Sequence, residues 1–259
     1  MDLVDLPHSD HGPRDALAVL LLHGFPLDHR MWRAQREAIE RAGRRVLVPD
    51  LRGFGKAPLG RGGATMREYA ADVLRLAERA GVRRFALVGF SMGGYVAFEV
   101  ARQAPERLAG LALVDTRAEP DGDEARAGRA RTAESVRASG AGVVADAMLP
   151  KMLTPNAPQA LREEVRAMML AQRPEGLTQA LLAMGARPDS RPLLPTLRIP
   201  TLVVVGEEDP VTPPDAAKAM VDALPGARHV VVPQAAHLAP MERPAEVNAA
   251  LVPWLQGLR

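Results

Sequence analysis

The stretch that most constrains the fold is Gly89-Phe90-Ser91-Met92-Gly93, which has the form Gly-x-Ser-x-Gly. The run before it, residues 84–88, is short and apolar like a buried strand. Residues 94–102 carry apolar side chains at helical spacing and end before Pro105. The pattern therefore predicts a strand, a sharp turn at Ser91 and a helix, and the flanking glycines leave room where a Cβ would collide with neighbouring backbone.

This local context predicts that Ser91 is a nucleophile. A serine between a strand and a helix has a strained backbone, and its hydroxyl is presented at the N-terminus of the helix. The five-residue motif alone is a weak signal, because a glycine-rich turn can match it by chance. The predicted strand before Ser91 and the predicted helix after it are what support the assignment of Ser91 as a nucleophile.

Composition narrows the class of protein. A chain of 259 residues fits one large α/β domain, or a core with an insertion, and can fold without covalent crosslinks. The absence of cysteine excludes disulfides, thiolate metal sites and cysteine nucleophiles. A net charge of +2 without a basic tract indicates no nucleic-acid partner. Residues 1–8 lack a basic or long apolar segment and no later run approaches spanning length, so we expect a cytoplasmic protein without a membrane partner.

Strand-like and helix-like segments alternate along most of the chain. The continuous apolar runs are typical of strands that are covered on both faces, and a capping box at Thr65–Glu68 opens one of the intervening helices. This alternation predicts an α/β fold with a doubly wound, mostly parallel sheet, whose ligand sites lie at the carboxyl ends of the strands. The predicted strands are residues 16–22, 45–50, 84–88, 108–115, 201–206 and 229–233.

Residues 117–194 have a different character. They contain no strand-like run, and glycine and prolines divide them into four helical stretches. We predict a helical cap at 117–194, inserted into a core formed by 1–116 and 195–259. The methionines of the insertion either pack between its helices or line an apolar pocket; they are Met148, Met152, Met168, Met169 and Met184. Its arginines are expected to face solvent; they are Arg126, Arg129, Arg131, Arg137, Arg162 and Arg166.

Serine catalysis also needs a base and a carboxylate that orients the base. Asp209 and His237 follow Ser91 in that chain order, and each lies on a loop just beyond a predicted strand. Asp115 also ends a predicted strand and is a rival for the acid. His23 precedes Gly24 and is expected to secure the loop rather than to react.

With these motifs the chain resembles the α/β-hydrolases over nearly its whole length, and within them the capped serine esterases and enol-lactonases. The resemblance implies that Ser91 is the nucleophile, Asp209 the acid and His237 the base. It also implies an oxyanion hole formed by the backbone N–H groups of Phe25 and Met92. The matching motifs are His23-Gly24-Phe25-Pro26, Asp50-Leu51-Arg52-Gly53-Phe54-Gly55, Gly89-Phe90-Ser91-Met92-Gly93-Gly94, Gly206-Glu207-Glu208-Asp209 and Ala236-His237.

Two residues depart from the pattern of these relatives. Ala236 stands before the base where relatives often have glycine, which puts the geometry of that loop in question. Pro253 is expected to interrupt a final helix that relatives leave continuous.

The expected function is that of a serine hydrolase without a cofactor or metal, which cleaves small carboxylic esters or lactones through an acyl-enzyme. The alternatives are a C–C bond hydrolase or a perhydrolase on the same scaffold, and a ligand-binding member without catalysis. Neutral substrates are expected to be preferred because the cap arginines are expected to face solvent. An anionic lactone would need Arg126, Arg129 or Arg162 to turn inward. The sequence leaves the oligomeric state open.

Overall fold

A computed structural model describes residues 2–258, so Met1 and Arg259, the two ends of the predicted core, lie outside the described residues. The described strands form one sheet in the order β1-β3-β2-β4-β5-β6-β7, in which β1 is antiparallel to β3 and every other pair is parallel. The predicted doubly wound, mostly parallel sheet is thus confirmed. The strands are β1 His8–His11, β2 Ala18–Leu22, β3 Arg45–Pro49, β4 Phe85–Phe90, β5 Leu108–Val114, β6 Thr201–Gly206 and β7 Arg228–Val232.

Helices connect consecutive strands from β2 onward, whereas a loop joins β1 to β2. The final helix runs through Pro253, so the expectation that this proline interrupts it is wrong. Pro253 lies in the last turn, where its missing N–H removes one backbone hydrogen bond shortly before the helix ends. No helix within residues 2–258 combines the length and apolar character of a membrane span. The helices are α1 Arg33–Arg41, α2 Met66–Arg79, α3 Met92–Gln103, α4 Asp123–Ser139, α5 Gly142–Met152, α6 Gln159–Leu170, α7 Pro174–Gly185, α8 Pro214–Ala223, α9 Ala239–Glu242 and α10 Pro244–Gln256, with 3-10 helices at His29–Trp32, Pro105–Arg107 and Arg191–Thr196.

The central strands are buried on both faces. Successive strand residues point to opposite sides of a sheet, so β2 directs Leu20 and Leu22 toward α2 and α3. It directs Val19 and Leu21 toward α1 and α10. This two-sided burial explains why the central strands read as continuous apolar runs.

The polar residues predicted to form the site lie just beyond the carboxyl ends of the parallel strands. Leu22 is level with Gly89, Phe90 with Val114, and Gly206 with Val232, so β2, β4, β5, β6 and β7 end near one edge of the sheet. The residues that follow these ends were all singled out in the sequence: His23, Ser91, Asp115, Asp209 and His237.

Four α-helices, α4 to α7, lie between β5 and β6, and we call them the cap helices. At the start of α7, Gly176 packs directly on Gly53 of the loop after β3, because a Cβ on Gly176 would lie 2.0 Å from the Gly53 carbonyl oxygen. Beside this contact, Gln172 is buried and donates through Nε2 to Asp28 Oδ2 at 2.9 Å. Its Oε1 accepts from the N–H of Gly55 at 3.0 Å. These contacts fix one end of the cap helices on the sheet domain.

The loop after β3 is itself held by a buried ion pair. Arg52 donates through Nε and Nη2 to the two carboxylate oxygens of Asp72 on α2, at 2.7 and 2.8 Å. The two side chains are 1% and 0% exposed. Asp72 also accepts from the N–H of Val4 at 2.9 Å, and Arg52 donates to the Asp2 carbonyl at 2.6 Å. The pair therefore joins the loop, α2 and the N-terminal segment.

Arg52→Met is predicted to lower the free energy of unfolding by about 3–5 kcal/mol, because it leaves the Asp72 carboxylate buried without its partner. The double variant Arg52→Met/Asp72→Leu should recover part of that loss, since neither charge remains. Urea denaturation of the three proteins measures both effects. A single variant within about 0.5 kcal/mol of the wild type would show that the pair is not structural.

Candidate active site

Ser91 has the strained backbone that the motif predicts, with φ 50° and ψ −112°. Its N–H donates to the Val114 carbonyl of β5 at 3.0 Å, and the Thr116 hydroxyl donates to the Ser91 carbonyl at 2.8 Å. Gly93 permits the turn to pack on β2, because a Cβ there would lie 2.4 Å from the Leu22 carbonyl oxygen. Two neighbouring strands thus hold the serine in a conformation that it would not adopt alone.

His237 lies between Ser91 and Asp209. Its Nε2 is 2.9 Å from Ser91 Oγ, and its Nδ1 is 2.8 Å from Asp209 Oδ2. A carboxylate can only accept, so Nδ1 carries the proton and Nε2 presents its lone pair to the serine hydroxyl. His237 and Asp209 are buried, whereas Ser91 keeps 8% of its surface exposed. The structure therefore brings the three residues together in the order Asp209, His237, Ser91.

Asp209 is held as a charged acceptor by its own loop. Its Oδ1 accepts from the N–H groups of Val211 and Thr212 at 2.7 and 3.0 Å, and its Oδ2 accepts from the Thr212 hydroxyl at 2.5 Å. Burial favours the neutral carboxyl, but the hydrogen bonds from His237 and Thr212 and the electrostatic interaction with His237 outweigh it and lower the pKa of Asp209. Sequence reasoning missed Thr212, since a lone threonine in a loop carries no motif.

Asp115, the rival acid, lies elsewhere in the site. It has φ 43°, is fully buried, and accepts from the Gly206 N–H at 2.7 Å. Within the described part of the chain its Oδ2 has no hydrogen-bond partner. Burial, and then the neighbouring charge of Asp209, raises the pKa of Asp115 well above its ordinary value. The imidazole of His237 is thus bonded to Asp209, while Asp115 braces the end of β6.

Phe25 and Met92, whose N–H groups were expected to form an oxyanion hole, flank the serine. Met92 is the first residue of α3, where N–H groups lack a helical acceptor, and Phe25 lines the same cavity as Ser91. Among residues 2–258 neither N–H donates to a backbone carbonyl outside the helices and strands. Neither group is thus engaged by a loop carbonyl of the described residues, and the helix dipole favours negative charge at Met92.

His23 secures the loop that carries Phe25, as the sequence suggested. Its Nε2 accepts from the Leu51 N–H at 2.9 Å, so the proton resides on Nδ1, which donates to the Gly24 carbonyl at 3.0 Å. The ring is neutral because Nε2 keeps its lone pair for the Leu51 N–H, and burial lowers the pKa of His23. Both ring nitrogens form hydrogen bonds with backbone groups, so His23 has a structural role in this loop.

Ser91 opens into a cavity of about 470 Å³ between the sheet domain and the cap helices. Met148 and Met184 line it, whereas Met152, Met168 and Met169 are buried in the apolar core. Each of the two explanations for the cap methionines thus applies to part of the set. Further apolar lining comes from Phe25, Tyr95, Val144, Leu181, Pro210 and Val211.

The cap arginines divide in the same way. Arg126 and Arg162 donate to cap carbonyl groups, and Arg166 pairs with Asp146 on the surface. Arg129 instead lines the cavity, and Lys151 joins it there. The expectation that the cap arginines face solvent is therefore wrong for Arg129. A hydrogen bond from its Nε to Asp121 holds the guanidinium beside the cavity.

Glu242 connects the loop of His237 to the cap helices. Its Oε2 accepts from the Ala236 N–H at 2.8 Å, and its Oε1 accepts from the Thr154 N–H at 2.7 Å and from the Thr154 hydroxyl. Nearby, the Leu238 N–H donates to the Met152 carbonyl at 2.8 Å. The loop of the base is thus held in place with Ala236 at the position where relatives often have glycine, and no pattern in the sequence marked Glu242.

Comparison with known proteins identifies the family of this chain. The model described as "Alpha/beta hydrolase family" matches residues 19–250, so the chain belongs to the alpha/beta hydrolase family. A thermophilic esterase from Thermogutta terrifontis, described as malate bound, is 46% identical, with a TM-score of 0.94, and the match covers 98% of this chain and 93% of that one.

Two further relatives are less similar. The enol-lactonase from Burkholderia xenovorans LB400 is 28% identical, with a TM-score of 0.91 and coverage of 98% and 97% of the two chains. RutD of Variovorax paradoxus, which carries the provisional name carbamate hydrolase, is 29% identical over 96% of both chains. Esterase and lactonase relatives support hydrolase activity for this chain.

Asp28, His29 and Asp50 form the group of potential metal ligands found among the described residues. Arg30 and Gln172 donate to Asp28, so both of its oxygens are occupied. His29 Nδ1 is 2.6 Å from Asp50 Oδ1, and the Lys56 N–H donates to Asp50 Oδ2 at 3.0 Å. A cation would have to displace these donors, so the group is better described as a hydrogen-bonded network beneath the loop of Phe25.

This network predicts a pH-dependent stability. The hydrogen bond to Asp50 raises the pKa of His29. Burial disfavours the charged form of Asp50, but bonds from His29 and Lys56 prevail and lower the pKa of Asp50 to about 2. A raised histidine pKa stabilises the fold fully below the unfolded pKa, and the contribution is lost as pH rises through the folded pKa.

His29→Gln should therefore be less stable than wild type at about pH 5.5, by no more than about 1 kcal/mol because His29 is partly exposed. The difference should vanish near pH 9, where His29 is neutral in both states. Denaturant titrations of both proteins across this range measure it. A difference that is constant with pH, or larger at high pH, would show that the ion pair is not its source.

Proposed function

We propose that the protein is a serine hydrolase that cleaves small carboxylic esters or lactones through an acyl-enzyme. One observation carries the proposal: the hydrogen-bonded series from Asp209 through His237 to a strained Ser91 opens into a mostly apolar cavity. Each bond has the length that proton transfer from the serine hydroxyl requires.

Acylation begins when His237 Nε2 takes the proton of Ser91 and Oγ attacks the carbonyl carbon of the substrate. The negative charge that develops on the carbonyl oxygen is stabilised by the N–H groups of Phe25 and Met92. Asp209, which accepts hydrogen bonds from Thr212, stabilises the imidazolium. His237 then gives the proton to the leaving oxygen as the bond between the acyl carbon and that oxygen breaks. In a lactone the released alcohol stays attached to the acyl group.

Deacylation repeats these steps with water. His237 removes a proton from the water molecule while its oxygen attacks the acyl carbon, and the same two N–H groups hold the second oxyanion. Ser91 leaves as the alcohol, takes back its proton from His237, and the carboxylic acid is released. The side chains of this site perform every proton transfer without help from another group.

The cap at residues 117–194 is part of the proposal, because its helices supply much of the cavity lining and so restrict the substrate to small molecules. The esterase and enol-lactonase relatives support the choice of esters and lactones among the reactions of the family. The cytoplasmic location expected from the sequence stays a prediction.

Ser91→Ala is predicted to lower kcat for 4-nitrophenyl acetate by roughly 10⁴ or more, because the members of such a site act as a unit. The circular dichroism spectrum should not change, since the side chain makes only one hydrogen bond. Activity within about tenfold of wild type, in protein free of contaminating esterase, would refute the nucleophile assignment.

The acid is tested by comparing two asparagine variants. Asp209→Asn should lower kcat by roughly 10⁴, because an amide stabilises the wrong tautomer of His237. Asp115→Asn should change kcat by less than about tenfold, since Asp115 bonds to the Gly206 N–H rather than to His237 and asparagine tolerates positive φ. Both variants keep the size of the side chain, and thermal denaturation controls for folding. The opposite ranking would move the acid to Asp115.

A further inference from the structure

The cavity has an uneven distribution of charge. Arg129 of α4 and Lys151 of α5 line it, and among residues 2–258 no aspartate or glutamate does so. Both cations belong to the cap helices, while Ser91 belongs to the sheet domain. A substrate bonded to Ser91 would therefore have positive charge around the part that extends into the cap.

Arg129 is fixed with unused donors. Its Nε bonds to Asp121 Oδ2, and its Nη2 lies 3.5 Å from Asp121 Oδ1. Its Nη1 reaches only the sulfur of Met184, at 3.6 Å, and Met184 lines the cavity. A thioether is a weak acceptor, so this edge of the guanidinium lacks a strong partner. A planar guanidinium that is held in place and has free N–H groups is suited to bind a carboxylate.

Asp121 does not cancel the charge of Arg129, because it is shared. Arg187 is buried and donates through Nη1 to Asp121 Oδ1 at 2.6 Å. Its guanidinium lies 4.2 Å from the ring centroid of Tyr95, another lining residue. Two guanidinium groups on one carboxylate leave this hydrogen-bonded group with a net charge of +1.

Lys151 adds a second positive charge. It is exposed, and among residues 2–258 no carboxylate forms an ion pair with it. Arg126, Arg162 and Arg166 of the cap differ, since Arg126 and Arg162 donate to cap carbonyls and Arg166 pairs with Asp146. Arg129 and Lys151 are the cations that line the cavity of Ser91, and each has N–H donors left for an anionic group there.

We propose that Arg129, assisted by Lys151, binds a free carboxylate of the substrate, so that the substrates are esters or lactones that carry a second, ionised carboxyl group. This inference rests on the proposed function and narrows it. A carboxylate that enters a partly closed cavity loses hydration, and a charge-assisted hydrogen bond from Arg129 offsets that loss. Monoesters of short dicarboxylic acids are the simplest compounds of this class. The preference for neutral esters that the sequence suggested is thereby reversed.

The test compares 4-nitrophenyl monoesters of dicarboxylic acids from succinic to suberic with the 4-nitrophenyl esters of monocarboxylic acids of the same length. At the best length, wild type should have a higher kcat/KM for the carboxylated ester. Arg129→Gln should lower the ratio of the two kcat/KM values by about 10–100-fold, as expected for loss of a hydrogen bond to a charged group. Lys151→Gln should lower it less, because exposed charge is screened. Arg162→Gln is the matched control and should leave the ratio unchanged.

A binding measurement separates this inference from the proposed function. Calorimetry should detect binding of adipate, but not of adipamide, to the wild type. Arg129→Gln should lower the affinity for adipate at least tenfold, and the affinity of Arg129→Lys should lie between those of the wild type and Arg129→Gln. These results need no turnover, so they stand even if the protein hydrolyses none of the esters, in which case the proposed function alone fails. Equal affinity of wild type and Arg129→Gln for adipate, or a kcat/KM ratio that Arg129→Gln does not change, would overturn the inference.

Discussion

The sharp turn at Ser91 is the constraint on which the rest of the site depends. Its positive φ is maintained by bonds to β5 and by the contact of Gly93 with β2. The parallel strands end near the same edge of the sheet. The loops that carry Asp209 and His237 must therefore approach this turn for the three side chains to come into contact. The central, buried strands of the sheet therefore maintain the strained backbone of Ser91. Any local rearrangement there would disturb packing on both faces of the sheet.

The two carboxylates at the strand ends show how environment divides their roles. Asp209 receives four donors from His237, Val211 and Thr212, which stabilise its charge despite burial. Asp115 receives one strong bond, from Gly206, and faces the charge of Asp209, so its neutral form is favoured. The pair thus combines a carboxylate that orients His237 with a carboxyl group that holds the end of β6.

Much of this arrangement could be predicted from the sequence, because it depends on local patterns. Apolar runs marked every strand except β1, whose residues His8–His11 are polar since that strand lies at the edge of the sheet. The capping box at Thr65 is formed as expected. The direction of Arg129 could not be predicted, because it depends on Asp121 and on how the cap helices lie over the sheet. Thr212 and Glu242 act through hydrogen bonds between distant loops or within one loop, which leave no periodic or motif signal in the sequence.

The central claim, that Ser91 attacks the substrate, is tested most directly by labelling with an alkyl 4-nitrophenyl phosphonate, whose adduct resembles the tetrahedral intermediate. Trypsin should release residues 85–102 as one peptide, and Ser91 is the only serine or threonine in it. The account predicts one equivalent of nitrophenolate per chain and a phosphonyl adduct on that peptide, located at Ser91 by fragmentation. An adduct on another residue, or enzyme that loses activity without modification of Ser91, would contradict it.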